Sequence, residues 1–244
     1  MKNYFMAWRR CVQVPFLLIL PLLLSACDDT DCIRGEGAIE TRTLNIDPFT
    51  RIAANGDFKV YLTQGAAQSV EVKGEPNILD QLRTSVSNNT WKIENRECVR
   101  RSEAVEVYIT IPVVEELDLN GSGRIIGQNA ITTSTDIPVT VNGSGKIELN
   151  LTADQVITRV TGSGDIVLSG EAVQHNINIS GSGRAKAFDL QAQNVTVNLT
   201  GSGVAEVSAS TTLAVDISGS GNVYFQGNPT VTQNISGSGK VIKR

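Results

Sequence analysis

The sequence predicts an all-β fold, a parallel β-helix whose N-terminal end is covered by an irregular, β-rich capping region. The main observation is the tripeptide Gly-Ser-Gly, which occurs seven times at steps of 18 to 22 residues. A step of this length suits one turn of a β-solenoid, in which each repeat stacks on the one before it. A second observation is that apolar residues alternate with polar ones on both sides of the tripeptide, which is the period of a half-buried strand.

The alternation continues through the tripeptide itself. Apolar residues stand two positions before and two positions after each Gly-Ser-Gly. If these residues face the core, both glycines also face it and the serine faces outward. An inward glycine indicates a bend with no room for a side chain. We therefore predict structural corners at Gly121, Gly123, Gly143, Gly145, Gly162, Gly164, Gly181, Gly183, Gly201, Gly203, Gly219, Gly221, Gly237 and Gly239.

A series of β-hairpins is the alternative interpretation of the same pattern. A three-residue hairpin loop preserves the alternation, whereas a two-residue loop breaks it. Serine occupies the middle position in all seven repeats, as in a ladder of identical stacked side chains. Seven hairpins would also give about fourteen strands, more than an open sheet usually holds. The β-helix is therefore favoured, and a meander, sandwich or prism stays the alternative.

Residues 1–26 are predicted to be a lipoprotein signal peptide. A positively charged start with Lys2, Arg9 and Arg10 precedes the apolar run Val12–Leu24, which is short for a membrane span. The tetrapeptide Leu-Ser-Ala-Cys that ends at Cys27 resembles the bacterial lipobox, in which the signal is cleaved before the cysteine and the cysteine is acylated. We therefore expect lipidation at Cys27. A plain secretory signal with an incidental cysteine is the alternative.

Residues 27–44 are expected to form an acidic tether after the lipid. Asp28, Asp29 and Asp31 lie at its start. An aspartate directly after an acylated cysteine resembles an inner-membrane retention signal in enteric bacteria, whereas acidic residues there resemble a surface-export signal in the Bacteroidetes. The sequence thus leaves open whether the protein faces the periplasm or the cell surface.

Four cysteines are present, of which Cys11 lies in the predicted signal and Cys27 takes the lipid. The other two, Cys32 and Cys98, are expected in an oxidising compartment, where they are a candidate disulfide. The sequence leaves this bond open because it does not give the distance between the two Cα atoms. Together with a single histidine, His175, these cysteines are too few for a structural zinc site, and we predict no metal and no cofactor.

Residues 45–116 are predicted to be the N-terminal β-rich part of the domain. The stretch Ile52–Leu62 aligns with the repeat, with Gly-Asp-Phe in place of Gly-Ser-Gly, and is interpreted as a degenerate turn. A short helix is expected at 77–82. Further strands are predicted at Val70–Val72, Trp91–Ile93 and Val105–Ile111. Residues 117–244 are predicted to form the regular Gly-Ser-Gly β-helix, whose open end the preceding region covers.

Several motifs occur in an order that resembles a known family. They are the lipobox, the stretch Asp57–Gly65, the turn Pro76–Leu79, the strand Ile109–Pro112 and then the serial Gly-Ser-Gly units. Over residues 45–244 the chain resembles the putative auto-transporter adhesin, head GIN domain family. The resemblance implies a right-handed parallel β-helix in a bacterial envelope protein, and it brings no catalytic residues.

The sequence contains no obvious reactive constellation. Asp165 follows one tripeptide as in calcium-binding β-roll repeats, but the other six repeats lack an aspartate there, which disfavours a calcium ladder. A serine nucleophile needs a base, and the alternation points His175 inward or to the edge of a turn. No helix follows the glycines to complete a phosphate loop. A formal net charge of −4 without a basic excess argues against nucleic-acid binding.

The outward positions of the repeats indicate a binding surface. The residues that lie three positions before each tripeptide are Asp118, Thr140, Arg159, Asn178, Asn198, Asp216 and Asn234. They contain no repeated carboxylate pair, and almost no aromatic platform for a sugar ring stands nearby.

We predict a non-enzymatic, lipid-anchored, adhesin-head-like protein of the bacterial cell envelope. Its partners would be the membrane, through the lipid, and a glycan or protein held weakly by hydrogen bonds on the β-helix wall. A carbohydrate-active β-helix enzyme and a periplasmic structural or stress component are the alternatives.

Overall fold

The computed structural model describes residues 32–100 and 102–244. It is nearly all-β, with 70% strand, 2% helix and a β-solenoid of about 7 turns, so the predicted fold class is confirmed. The predicted signal peptide and the lipid-accepting Cys27 lie outside the described residues. Within the described ranges, no helix is both long enough and apolar enough to cross a membrane.

Nineteen strands and one short helix occur in the described residues. Before the Gly-Ser-Gly repeats they are β1 (Ile33–Arg34), β2 (Glu40–Leu44), β3 (Arg51–Gly56), β4 (Lys59–Gln64), β5 (Ser69–Gly74), α1 (Pro76–Leu79), β6 (Val86–Ser87), β7 (Thr90–Ile93), β8 (Val99–Arg100) and β9 (Glu106–Ile111). In the repeats they are β10 (Glu116–Gly121), β11 (Arg124–Thr132), β12 (Asp136–Gly143), β13 (Lys146–Gly162), β14 (Asp165–Gly181), β15 (Arg184–Gly201), β16 (Val204–Gly219), β17 (Asn222–Gln226), β18 (Thr230–Gly237) and β19 (Lys240–Lys243).

Successive repeats stack as parallel strands with their tripeptides aligned. The first glycines of neighbouring tripeptides are register partners in the series Gly121, Gly143, Gly162, Gly181, Gly201, Gly219 and Gly237. A hairpin at each tripeptide would make neighbouring strands antiparallel. The hairpin alternative is therefore wrong for the repeats.

Each turn contributes to two walls that meet at the tripeptide. Wall 1 is the sheet of segments before it: β7, β3, β10, β12, the later parts of β13 to β16, and β18. Wall 2 is the sheet of segments after it: β2, β5, β9, β4, β11, the early parts of β13 to β16, β17 and β19. Aliphatic side chains that are at most 2% exposed fill the space behind wall 1, among them Val141, Val160, Ile179, Leu199 and Ile217. Removal of this apolar surface from water is the main stabilising contribution of the stack.

The first glycine of each tripeptide does not face the core, contrary to the prediction from alternation. Gly121 and Gly143 are exposed and Gly162 is half-buried, and all seven first glycines have a φ between 108° and 132°. The carbonyls of the first six accept a hydrogen bond from the serine N–H one turn on, as Gly143 does from Ser163 at 2.9 Å. A Cβ on Gly162 would lie 2.7 Å from the Gly143 oxygen. Glycine is required here by the left-handed backbone and by the closeness of the preceding turn.

The second glycine faces inward, as the alternation predicts. Gly145 and Gly203 are buried. A Cβ on Gly145 would lie 2.6 Å from a δ-carbon of Leu119, and one on Gly203 would lie 2.7 Å from a γ-carbon of Ile179. The side chain of the turn before thus occupies the space that a larger residue would need, because the interior is closely packed.

The N-terminal region continues both walls and then closes their end. Strands β3 and β4 pair with β10 and β11, with Gly56 opposite Gly121, so the predicted degenerate turn is a turn of the solenoid. The antiparallel strands β5 and β2 extend wall 2 beyond β9. Trp91 is 0% exposed and covers the end of the core. Its ring lies 5.4 Å from that of Phe49, and its Nε1 donates to the carbonyl of Arg83 at 2.9 Å.

The segment 27–44 is not a tether throughout, because its later part belongs to the fold. Strand β1 pairs with β8, and β2 pairs with β5, whose edge would otherwise be open. Cys32 and Cys98 form a disulfide with a Cα–Cα distance of 4.7 Å, which joins the start of the described chain to the residue before β8. The helix expected at 77–82 is present as the shorter α1.

Candidate functional site

Wall 1 presents two outward rows made mainly of amide and hydroxyl side chains. The row three positions before the tripeptide has the residues predicted from alternation, from Asp118 to Asn234. The row one position before it contains Asn120, Asn142, Thr161, Ser180, Thr200, Ser218 and Ser236. Members of one row lie on neighbouring strands about 4.8 Å apart. The wall is therefore a periodic polar surface that runs along the solenoid.

Side-chain hydrogen bonds link neighbouring turns within these rows. Asn198 Nδ2 donates to Asn178 Oδ1 at 3.1 Å, and Asn234 Nδ2 donates to Asp216 Oδ2 at 2.9 Å. Each amide carries two N–H donors and an oxygen with two lone pairs, so a bridging amide keeps bonding capacity for a ligand. Because these hydrogen bonds already order the bonded side chains, a ligand does not pay the entropy of ordering them on binding.

The charge of wall 1 is concentrated near the N-terminal cap. Arg51 lies 3.2 Å from a carboxylate oxygen of Glu115 and 3.8 Å from one of Glu116. Further along the wall, partial burial raises the pKa of Asp118, although a hydrogen bond with Thr140 opposes this shift. From β14 to β18 the two rows contain amides, hydroxyls and a single carboxylate. This second part of the wall suits uncharged partners.

A shallow depression of about 230 Å³ lies on the nearly neutral part of wall 1. Its floor forms where the small Ala214 stands between its register partners Thr196 and Thr232. The amides of Asn198 and Asn234 border it. Small-molecule pockets usually measure roughly 300–1,000 Å³, so this shape favours contact with an extended surface or chain.

The serines of the seven tripeptides form an exposed row along the corner between the walls. The hydroxyls of Ser220 and Ser238 lie 3.2 Å apart, and in residues 32–100 and 102–244 they are the one motif-serine pair within hydrogen-bond distance. The serines thus lie in one exposed row, as the constant serine predicts, but most of them face solvent and do not bond to one another.

His175 does not provide a base for these serines. Its side chain is 1% exposed, and its Nε2 lies 2.9 Å from the hydroxyl of the equally buried Thr158. Burial lowers the pKa of His175 to about 3. The inward position follows the alternation, and the imidazole is enclosed in the core away from the serine row. Across the described ranges, no three His, Cys, Asp or Glu side chains are grouped closely enough to hold a metal ion.

Wall 2 contains an aromatic pair that sequence reasoning missed. Tyr61 and Tyr108 are register partners on β4 and β9, and their rings stack with centroids 4.8 Å apart. The Tyr108 hydroxyl donates to Glu106 at 2.9 Å, and this bond, followed by one from Lys73, lowers the pKa of the Glu106 carboxyl. The alternation of apolar and polar residues along each strand already predicted that both tyrosines point outward. Their contact was not predicted, because it depends on which strands pair.

Wall 2 also carries a row of charged residues one position after the tripeptide. Lys59, Arg124 and Lys146 are consecutive register partners on β4, β11 and β13. We call these three residues the cation triad. Glu106 precedes the triad and Asp165 follows it on the next strands.

A stacked core with two periodic outer walls defines a β-solenoid that presents rows of side chains on its surface. The family model described as "Putative auto-transporter adhesin, head GIN domain" matches residues 48–229, and the chain belongs to this family. The resemblance drawn from the motifs is thereby confirmed. The chain is thus an adhesin-like protein, of a kind located in the bacterial cell envelope or at its surface.

Solved structures support the fold. The chain is 25% identical to a putative adhesin from Bacteroides fragilis, with a TM-score of 0.79 over 87% of this chain and 100% of that one. It is 27% identical to a putative lipid binding protein from Parabacteroides distasonis, with a TM-score of 0.73 over 88% and 100% of the two chains. A putative adhesin from Parabacteroides merdae has the same fold at 20% identity, with a TM-score of 0.70 over 88% and 99%. No match was found among the curated proteins.

Proposed function

We propose that this adhesin-like chain is a non-enzymatic, lipid-anchored protein of the cell envelope that binds an extended partner through wall 1. The observation that carries the proposal is the register of amide and hydroxyl side chains over successive turns. A partner with regularly placed hydroxyl groups, such as a glycan, can form equivalent hydrogen bonds on one turn after another. Each bond contributes only about 1 kcal/mol, so a long contact is needed and a long wall provides it.

Between β14 and β18, the chemistry of wall 1 supports binding without catalysis. Glycoside hydrolysis usually needs two carboxyl groups within about 5 to 10 Å of each other across the scissile bond. Between β14 and β18 the two outward rows contain one carboxylate, that of Asp216, which already accepts a hydrogen bond from Asn234. This surface therefore lacks the acid and base pair of the alternative function.

The anchor is proposed from the sequence around Cys27. Each acyl methylene that enters the bilayer contributes about 0.8 kcal/mol, so several chains on one cysteine give stable attachment. In cells, the parent chain should fractionate with membranes and the Cys27→Ala variant should not. Protease treatment of intact cells then shows which face of the envelope carries the solenoid. A Cys27→Ala chain that stays with the membrane would contradict the lipid anchor.

Binding through wall 1 is tested in cells that lack the chromosomal copy and carry either the parent or a variant. Asn178→Ala combined with Asn198→Ala removes two bridging amides from β14 and β15. The matched control, Gln128→Ala with Gln193→Ala, removes two exposed amides outside wall 1, one from β11 and one from β15 just before the segment that pairs in wall 1. We expect reduced attachment to envelope glycans for the first pair and parental attachment for the control. Equal attachment by both pairs, or scission of the glycan by the purified chain, would overturn the proposal.

A further inference from the structure

The cation triad on wall 2 is a second surface with a chemistry different from that of wall 1. Lys59, Arg124 and Lys146 lie side by side on consecutive parallel strands, about 4.8 Å apart at the backbone. The side chains of Lys59 and Lys146 are 47% and 34% exposed, and Arg124 is exposed. Like charges on directly neighbouring strands repel one another, so this arrangement is unfavourable for the fold alone.

The partners of the triad leave its central cation uncompensated. Lys59 lies 4.0 Å from Glu106, which is closer, at 3.2 Å, to Lys73, and Lys146 lies 2.9 Å from Glu148. No carboxylate of the described chain is within ion-pair distance of the Arg124 guanidinium. An arginine held between two lysines is well suited to an oxyanion, because its planar group can donate two parallel hydrogen bonds while the lysines add charge.

The surroundings of Arg124 are partly apolar. The next outward position on its own strand is Ile126, whose register partner on β4 is Tyr61. The Tyr61 ring stacks on the ring of Tyr108. Carbon atoms therefore lie directly beside the cations, an arrangement that suits a ligand with C–H groups next to its anionic group, as in a uronic acid residue.

The charge pattern favours a linear polyanion over a membrane surface. The cations follow one line along the solenoid. Asp165 interrupts this line, which resumes at Arg184. The side-chain nitrogens of Arg184 and Lys186 lie 3.7 and 4.0 Å from an Asp165 carboxylate oxygen. The row beside this line contains Glu148, Lys186 and Glu206, and its two carboxylates would repel the continuous plane of phosphates on an anionic bilayer. A polymer chain laid along the cation row contacts Arg124 without covering that second row.

We propose that the cation triad binds the carboxylate groups of an acidic polysaccharide, with Arg124 as the central contact. This inference goes beyond the proposed function of wall 1 and does not depend on it. The probe is polygalacturonate, and binding to the purified full chain in detergent is measured by titration calorimetry. The methyl ester of the same polymer serves as the uncharged control.

Arg124→Gln should weaken polygalacturonate binding by about tenfold, since a hydrogen bond to a charged group is lost. Lys92→Gln is the matched control, because Lys92 is an exposed strand cation on wall 1, and it should leave the affinity unchanged. The parent should bind the methyl ester more weakly than the acid, and added salt should weaken binding of the acid. Thermal unfolding of Arg124→Gln should match or exceed that of the parent, because the substitution removes repulsion between like charges.

Four results would overturn the proposal: no binding of polygalacturonate, equal affinity of parent and Arg124→Gln, an equal loss in Lys92→Gln, or equal binding of the methyl ester. Vesicles of phosphatidylglycerol test the membrane alternative. The lipid anchor is the same in parent and variant, so a loss of vesicle binding in Arg124→Gln without a loss for polygalacturonate assigns the triad to a membrane and refutes the proposal. The Asn178→Ala, Asn198→Ala pair should keep its polygalacturonate binding, which separates the two walls.

Discussion

Acidification should destabilise the solenoid through His175. An exposed imidazole has a pKa of 6.5, and burial lowers that of His175 to about 3. Because the unfolded chain binds a proton that the folded core excludes, the contribution of this residue to stability is complete above pH 6.5 and is lost as the pH falls towards about 3. Each pH unit in this window costs about 1.4 kcal/mol, which gives a loss of about 2 kcal/mol between pH 7 and pH 5.

The neighbouring turns show which side chains fit in place of the buried polar pair. The register partners of His175 are Val156 and Val195, and Thr158 lies beside Val139. The double variant Thr158→Val, His175→Val therefore continues existing columns of buried aliphatic residues. It removes the titrating group without leaving the Thr158 hydroxyl buried and unpaired.

The assay is urea unfolding at pH 7 and pH 5 on the parent, the double variant and Thr158→Val alone. The parent and the single variant, which both keep His175, should lose about 2 kcal/mol more than the double variant over this interval. Comparable m-values at both pH values establish that the same surface is exposed on unfolding. Equal losses in parent and double variant would show that His175 is not the acid-sensitive group.

Two further predictions concern the corner and the cap. Gly162→Val should destabilise the fold by about 3 kcal/mol or more, because a β-branched residue must adopt a left-handed backbone against the preceding turn, whereas Ser163→Ala should cost no more than about 0.5 kcal/mol. Equal thermal midpoints for these two variants would contradict the account of the corner. Cys98→Ser should lower the free energy of unfolding by about 4 kcal/mol, from the loop entropy of a link spanning 66 residues. Denaturant titration measures this loss, and reductant should have no further effect on the variant.

Much of the fold could be predicted because seven repeats in one chain allow an internal comparison. Aligned positions that are always apolar must share one environment, and this identified the inward columns and the parallel stack. The orientation of the first glycine could not be obtained in this way. Counting alternate positions assumes an extended strand, but Gly162 and its equivalents have positive φ values, so the backbone turns at that residue and the alternation is interrupted there.

The candidate surfaces were accessible to sequence reasoning to different degrees. The rows of wall 1 lie within the regular repeats, so the outward positions of Asn178 and Asn198 followed from alternation alone. The cation triad combines Lys59 from the degenerate turn with Arg124, which is 65 positions later in the sequence. Such a juxtaposition requires the pairing of β4 with β11, and strand pairing between distant segments is not specified by local pattern.

The repeats also separate the residues that maintain the scaffold from those that are free to carry function. Apart from a few buried polar residues such as the His175–Thr158 pair, positions that contact the core or a neighbouring turn are glycine or apolar, since a larger side chain there meets packed atoms. The outward position directly after the tripeptide is instead basic, acidic, aliphatic or an amide in different repeats. Side chains at such positions can be exchanged with little effect on stacking, so each wall can acquire its own chemistry on an unchanged core. Substitutions on wall 1 and wall 2 should therefore alter binding independently, as expected for surfaces that lie on different faces of one solenoid.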